Sequence, residues 1–285
     1  MKRWLTMAAL VCAGCGVHRP AMHTGSLPPR PKTALTSTLA PTLESTDPAL
    51  RAALLELAAV PGAEAQRRVG VEYRRLGVLD AAYEHFAAAA KTQPTDAFSH
   101  DALARIWRNW GMPNRGLDDA RRAVALAPKS AAAANTLGTI FQAMGEFDEA
   151  KRWYYRATAL DPNAWYAMNN LCYAQLLTRE PYAVLNCQKA LEHAPDASIV
   201  QNNLALAHAA SGELDNAKQW FRRAGDNATA AYNYGIVMMS THAYREAEAA
   251  FQAALLADPQ FTLAASRARQ ARLAALAEDN THAGH

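Results

Sequence analysis

The chain repeats one pattern of apolar and polar positions about every 34 residues. In each copy, small and aromatic residues recur at helical spacing, and an alanine-rich stretch ends at a proline. The first three spacings between these prolines are 34, 34 and 33 residues. The prolines are Pro94, Pro128, Pro162, Pro195 and Pro259. A period of this length predicts pairs of antiparallel helices that stack on one another.

The copy at 131–164 shows how such a pair of helices would pack. Its small residues Gly138 and Ala150 let the two helices approach closely, and Tyr154 fills the space beside that contact. Gly145 lies between the two helical stretches, where a positive φ carries little penalty for glycine. The spacing therefore predicts a helix, a glycine turn and a second helix that ends at a proline.

These positions resemble the tetratricopeptide repeat, and six consecutive copies match its spacing. The predicted units are 63–96, 97–130, 131–164, 165–197, 198–227 and 228–261. The resemblance implies an all-α solenoid, a right-handed superhelix in which the first helix of each unit faces a concave groove. The flanking stretches are predicted to be a covering helix at 48–62, a capping helix at 262–278 and a disordered tail at 279–285.

Composition agrees with a helical scaffold that lacks an active site. Hydrophobic residues make up 51% of the 285 residues, and alanine, the best helix former, is the commonest. The net charge is +3, and two of those charges are Lys2 and Arg3, so no basic footprint for nucleic acid remains. No stretch is left for a catalytic domain, and no nucleotide or metal motif is present. We therefore expect no enzymatic activity, no cofactor and no metal.

The first residues are typical of an export signal. Lys2 and Arg3 precede a short apolar stretch, which ends in Cys12-Ala13-Gly14-Cys15. This ending resembles the lipobox of bacterial lipoproteins and predicts a signal peptide at 1–14 and lipidation at Cys15. An ordinary cleaved signal is the alternative.

A stretch rich in proline, serine and threonine follows, and we expect 15–47 to be a flexible tether. Gly16 stands where an aspartate would retain a lipoprotein in the inner membrane. The sequence therefore favours lipid anchoring in the outer membrane, facing the periplasm.

The repeat register places a row of polar and aromatic residues on the predicted groove. The asparagine amides could bind the backbone of an extended peptide, and the tyrosines could anchor its side chains. These residues are Asn135, Asn169, Asn170, Asn202, Asn203, Asn233, Tyr166, Tyr173 and Tyr232. In the alternative interpretation, the amides link neighbouring helices and the tyrosines pack between repeats.

At its N-terminal end the predicted groove becomes basic, with Arg67, Arg74, Arg105 and Arg108. Such a face could receive acidic segments, although a solvated face is the simpler explanation. In the fourth unit, Cys172 and Cys187 replace the small and the large packing partner of the helix pair. They could form a disulfide in an oxidising periplasm, or they could remain two buried thiols.

Signal, lipobox, tether and repeat number together resemble the bacterial envelope lipoproteins that assist pilus assembly. These are the tight-adherence (Flp) pilus proteins of the TadD type and the lipoproteins that help a type IV pilus secretin assemble. The resemblance implies a non-catalytic scaffold, anchored to the membrane, that binds a secretin or pilus component. An adaptor that docks periplasmic proteases or peptidoglycan hydrolases is the alternative, and the sequence leaves a homodimer open.

Overall fold

The computed structural model describes residues 46–283, and this part of the chain is built from α-helices. The predicted signal peptide, the lipidation site Cys15 and all but the last residues of the tether lie outside the described residues. Fourteen helices span the described part: α1 Pro48–Ala59, α2 Ala63–Arg75, α3 Leu79–Thr92, α4 Ala97–Asn109, α5 Pro113–Leu126, α6 Ala131–Met144, α7 Phe147–Leu160, α8 Trp165–Thr178, α9 Ala183–His193, α10 Ser198–Ala210, α11 Leu214–Ala224, α12 Asn227–Ser240, α13 Tyr244–Ala257 and α14 Thr262–Ala283. None of them is both long and apolar enough to cross a lipid bilayer.

The helices form two compact blocks, and each block is a stack of helix pairs. The N-terminal block ends at Asp161 and holds α1 followed by the pairs α2/α3, α4/α5 and α6/α7. The C-terminal block begins at Pro162 and holds the pairs α8/α9, α10/α11 and α12/α13 followed by α14. The predicted all-α fold made of repeated helix pairs is thereby confirmed.

In three of the pairs, a glycine on the first helix and an aromatic ring on the second bring the helices together. A Cβ atom added to Gly138 would lie 2.6 Å from Cε1 of Tyr154, which is closer than packed atoms can approach. Gly235 faces Phe251 at the same calculated distance. Both rings are completely buried, so α6/α7 and α12/α13 are each closed around one aromatic side chain.

The turns within the pairs differ between the blocks. In the N-terminal block, each pair turns at a glycine with positive φ, such as Gly145 at 84°. In the C-terminal block, Gly212 has a φ of 82°, but Arg179 and His242 adopt positive φ values of 61° and 63°. A side chain in this conformation costs about 1–2 kcal/mol, so the C-terminal block carries turn strain that the N-terminal block avoids.

A terminal helix packs at one end of each block. Leu50 of α1 is fully buried against α2, and Asp47 caps α1 while it accepts a 2.7 Å bond from Arg75. Helix α14 runs to Ala283, which corrects the expectation of a disordered tail from residue 279 onward. The helix continues because no glycine or proline interrupts 262–283 and because Arg245 of α13 donates two hydrogen bonds to Asp279.

Candidate protein-binding faces of the two blocks

In the N-terminal block, the first helices present a group of cationic and aromatic side chains, which we call the arginine face. It consists of Arg67, Arg74, Phe98, Arg105 and Arg108 on α2 and α4. The Phe98 ring is 40% exposed. The Cζ atoms of Arg67 and Arg74 lie 5.4 and 5.9 Å from its centroid. Two guanidinium groups thus flank one aromatic ring, an arrangement that favours cation–π contact.

Two arginines of this face are held by the next repeat. The Nε atom of Arg105 donates to the hydroxyl of Thr136 on α6 at 3.0 Å and lies 2.8 Å from Oδ2 of Asp101. Arg108 donates to the hydroxyl of Thr139 on α6 at 2.7 Å. Because their partners lie on a neighbouring helix, these side chains are fixed in place by the stacking of the repeats.

Arg74 differs from the arginines around it. Arg67 is bonded to Glu64 and has Asp96 at 3.6 Å, whereas the guanidinium of Arg74 makes no hydrogen bond or ion pair with any residue of the described chain. It is half-buried, and burial lowers the pKa of its guanidinium below the ordinary value. The positive charge of Arg105 lowers that pKa further, and Asp101 opposes the shift.

In the C-terminal block, the predicted asparagine row forms bonds between first helices. Asn203 of α10 donates to Asn169 of α8 at 3.0 Å, and Asn233 of α12 donates to Asn202 of α10 at 2.8 Å. Asn169, Asn202 and Asn203 are buried. This geometry favours the interpretation in which the amides link neighbouring repeats over the one in which they bind a peptide.

The remaining polar and aromatic residues predicted to face the groove fall into two groups. Tyr232 is 6% exposed and packs on Phe251 and Phe261, with ring centroids 5.5 and 4.9 Å away, so it belongs to the core and not to a groove surface. Asn135 on α6 is also buried. Three residues of α8 are half-buried and remain partly accessible: Tyr166, Asn170 and Tyr173.

The structure joins Cys172 of α8 and Cys187 of α9 by a disulfide, with Cα atoms 5.3 Å apart. Both residues are fully buried. They occupy the repeat positions that Gly138 and Tyr154 hold in the third unit, so a covalent bond stands where the other pair has a glycine–tyrosine contact. Among the residues that the structure describes, no group of three or more His, Cys, Asp or Glu could hold a metal ion.

Sequence reasoning missed one residue of the arginine face and the two threonines that hold its arginines. Phe98 is the second residue of its unit, the position that Tyr166 occupies in the fourth, so the same register could have identified it. Thr136 and Thr139 gave no such signal, because a threonine on a helix is informative only once its partner on another helix is known.

Comparison with known proteins agrees with this architecture. The family model for the tetratricopeptide repeat matches residues 131–164 and 200–224. No curated protein matches the chain. The solved structure of Pseudomonas aeruginosa pilF is similar at a TM-score of 0.58, with 19% identity over 74% of this chain and 96% of that one.

Two further solved structures share the fold. PilW, a type IV pilus biogenesis factor, gives a TM-score of 0.61 with 17% identity, over 70% of this chain and 94% of its own. The anaphase-promoting-complex assembly Cut9–Hcn1 gives a TM-score of 0.63 with 15% identity, over 83% of this chain and 46% of its own. From its repeated helix pairs, the matching repeat model and these likenesses, the described chain is a solenoid of tetratricopeptide-repeat type.

Proposed function

We propose that this protein is a non-catalytic scaffold, lipid-anchored at the outer membrane, that holds a segment of a secretin or another pilus component during assembly. The proposal rests on the arginine face. It is a surface of fixed cationic and aromatic side chains on the first helices of stacked repeats, and such solenoids use extended concave surfaces to bind other proteins. Aromatic and arginine side chains are also the residues enriched at the energetic centres of protein interfaces.

Two observations support the assignment to pilus assembly. The fold is shared with pilF and PilW over 96% and 94% of those chains, and PilW is a type IV pilus biogenesis factor. The sequence adds a lipobox-like ending at Cys15 and a tether before the first helix. Membrane anchoring would raise the local concentration of a client at the bilayer, which favours assembly without any chemical step.

The proposal is tested by crosslinking in intact cells, followed by purification of the protein and mass spectrometry of its partners. We expect a secretin or pilus subunit to dominate in the wild type. The control is Arg223→Gln, which changes an arginine outside the arginine face. Arg223 belongs to the C-terminal block and lies over the Trp220 ring at 4.8 Å, and its replacement should leave the crosslinked partners unchanged. Absence of any pilus or secretion component from the crosslinked products would refute the assignment.

A second function is favoured by apolar side chains on the second helices. Leu256 of α13 is 86% exposed and Tyr155 of α7 is 51% exposed, and folded enzymes could dock on such residues. An adaptor for periplasmic proteases or peptidoglycan hydrolases would then lose its partners when these residues are changed to serine. The pilus scaffold would keep its client in the same variants.

Anchoring has its own test. Cells fed an alkyne analogue of palmitate should label the protein, and Cys15→Ala should abolish the label while Cys12→Ala retains it. Labelled protein should fractionate with the outer membrane. Label that persists in Cys15→Ala, or a wild type without label, would refute lipidation at Cys15.

A further inference from the structure

Within the described residues, the Arg74 guanidinium is the one cation of the arginine face that engages in no hydrogen bond or ion pair. Asp101 is the acidic residue whose charge acts on Arg74, but its Oδ2 faces Arg105 at 2.8 Å, and its Oδ1 is buried without a hydrogen bond in the described chain. The acidic groups near Arg67 are Glu64 and Asp96. Arg74 is therefore a partly desolvated cation that the charge of Arg105 repels, and an added carboxylate would relieve both the repulsion and the lost hydration.

Aromatic rings orient the Arg74 side chain. Its Cζ lies 5.9 Å from the centroids of both Phe86 and Phe98. Phe86 is fully buried, so it supports Arg74 from the core side, whereas Phe98 remains 40% exposed. A guanidinium that stacks through its face keeps the N–H donors at its edge for a carboxylate, and this planar fork suits two parallel hydrogen bonds.

Apolar and cationic groups lie side by side on this face. The Cζ atoms of Arg74 and Arg67 lie 5.9 and 5.4 Å from the centroid of the partly exposed Phe98 ring. A ligand that places a carboxylate on Arg74 would therefore bring its next side chain onto an apolar ring. Acidic and apolar residues next to each other in an extended peptide have this character, whereas an isolated anion would leave Phe98 unused.

We propose that the arginine face binds an acidic peptide segment, in which one carboxylate pairs with Arg74 and an adjoining apolar side chain packs on Phe98. This inference rests on the proposed protein-binding function and names the chemistry of the client. A peptide fits better than nucleic acid because the chain outside its first residues is almost neutral, with 26 acidic residues in total, and because a single exposed ring cannot stack successive bases.

The test is fluorescence anisotropy with the full chain in detergent at low salt. The probe is a labelled ten-residue peptide in which glutamate alternates with leucine, and the matched peptide carries glutamine at every glutamate. We expect at least about tenfold tighter binding of the glutamate peptide, because pairs between arginine and a carboxylate are charge-assisted. Arg74→Gln should abolish most of that preference, and Arg74→Lys should restore only part of it, since lysine lacks the planar fork.

Two further variants separate this site from general charge effects and from unfolding. Phe98→Ala should weaken the binding of both peptides severalfold, because it removes the apolar contact that the two peptides share. Arg223→Gln removes a stacked arginine from the other block and should leave both affinities unchanged. Equal binding of the two peptides, an Arg74→Gln variant that matches the wild type, or tighter binding of a labelled ten-nucleotide single strand would each overturn the inference.

The outcome in cells distinguishes this inference from the proposed function. A pilus or secretin client that remains crosslinked in Arg74→Gln would overturn the inference and leave the function standing. Preference for the acidic peptide in vitro, together with an absence of such clients in cells, would refute the function and leave the binding chemistry standing.

Discussion

The two blocks are built from the same helix pair but close it in different ways. In the N-terminal block, glycines form all three turns, and Gly138 packs directly against Tyr154. In the C-terminal block, the first pair replaces that contact by the Cys172–Cys187 disulfide and turns at Arg179 with a positive φ. This pair therefore combines a strained turn with a covalent bond, whereas α12/α13, with its strained turn at His242, keeps the contact between Gly235 and Phe251. In α8/α9, the loss of consensus residues is matched by another source of stability.

The blocks also differ in how their first helices contact one another. On α4 of the N-terminal block, Arg105 and Arg108 donate to threonine hydroxyls on α6, so charged groups remain at the surface. In the C-terminal block, buried asparagine amides such as Asn203 and Asn169 bond to each other. The first arrangement leaves cationic side chains accessible to a ligand, and the second uses its polar groups within the fold. We therefore propose that the binding site lies on the N-terminal block.

The largest expected effect comes from removing the disulfide. Replacing Cys172 and Cys187 by alanine should lower the free energy of unfolding of the C-terminal block by about 3 kcal/mol, because the open chain regains the entropy of a 15-residue loop. Hydrogen exchange followed by mass spectrometry reports each block separately. Reductant should cause the same loss of stability in the wild type and no further loss in the variant. The stability of α2–α7 should stay unchanged in both. A wild type that stays unchanged after both thiols become alkylatable would contradict the prediction.

The glycine–tyrosine contact in the N-terminal block should contribute nearly as much to the free energy of unfolding. Gly138→Ala should cost about 2 kcal/mol, because the new methyl group overlaps the Tyr154 ring. Urea unfolding measures the loss. Tyr154→Leu in the same chain is the control. The two substitutions should cost less together than the sum of their separate effects, because the smaller side chain removes the clash. Strict additivity would mean that the ring and the glycine do not limit the helix spacing.

The asparagine bonds test whether the C-terminal row is structural. Asn203→Ala should cost about 1–2 kcal/mol, because it leaves the buried Asn169 without its donor. Asn233→Ala, at a half-buried site, should cost less. Neither variant should change the affinity for the acidic peptide. If Asn203→Ala kept full stability but lost the client, the peptide-binding interpretation of this row would replace the structural one.

The smallest effect concerns the turns. Arg179→Gly should raise the free energy of unfolding by about 1 kcal/mol, since glycine adopts a φ of 61° without a Cβ penalty. The reverse change, Gly212→Ala, should lower the free energy of unfolding by a similar amount. Midpoints of urea unfolding give both values. A loss of stability in Arg179→Gly would show that the contacts of the arginine side chain outweigh the backbone strain.

Much of the fold could be predicted from the sequence because the information is local. The 34-residue period, the prolines and the Gly138–Tyr154 spacing indicate helix pairs, and the structure is built from such pairs. The tail was less predictable, because the bonds from Arg245 to Asp279 join residues 34 positions apart. The candidate site was only partly predictable. The four arginines were identified, but Phe98 was not, and Tyr232 was assigned to the groove although it lies in the core.

The sequence by itself therefore determined the repeating unit, its helices and turns, and the residues that close each pair. These features depend on helical spacing and on backbone preferences, which act over a few residues. Only the tertiary structure decided which side chains of successive repeats meet. It turned the asparagines toward one another, held Arg105 and Arg108 by threonines of α6, and gave Arg74 no acidic partner among the residues that the structure describes. Those outcomes depend on contacts between separate helices, and the repeat period does not specify them.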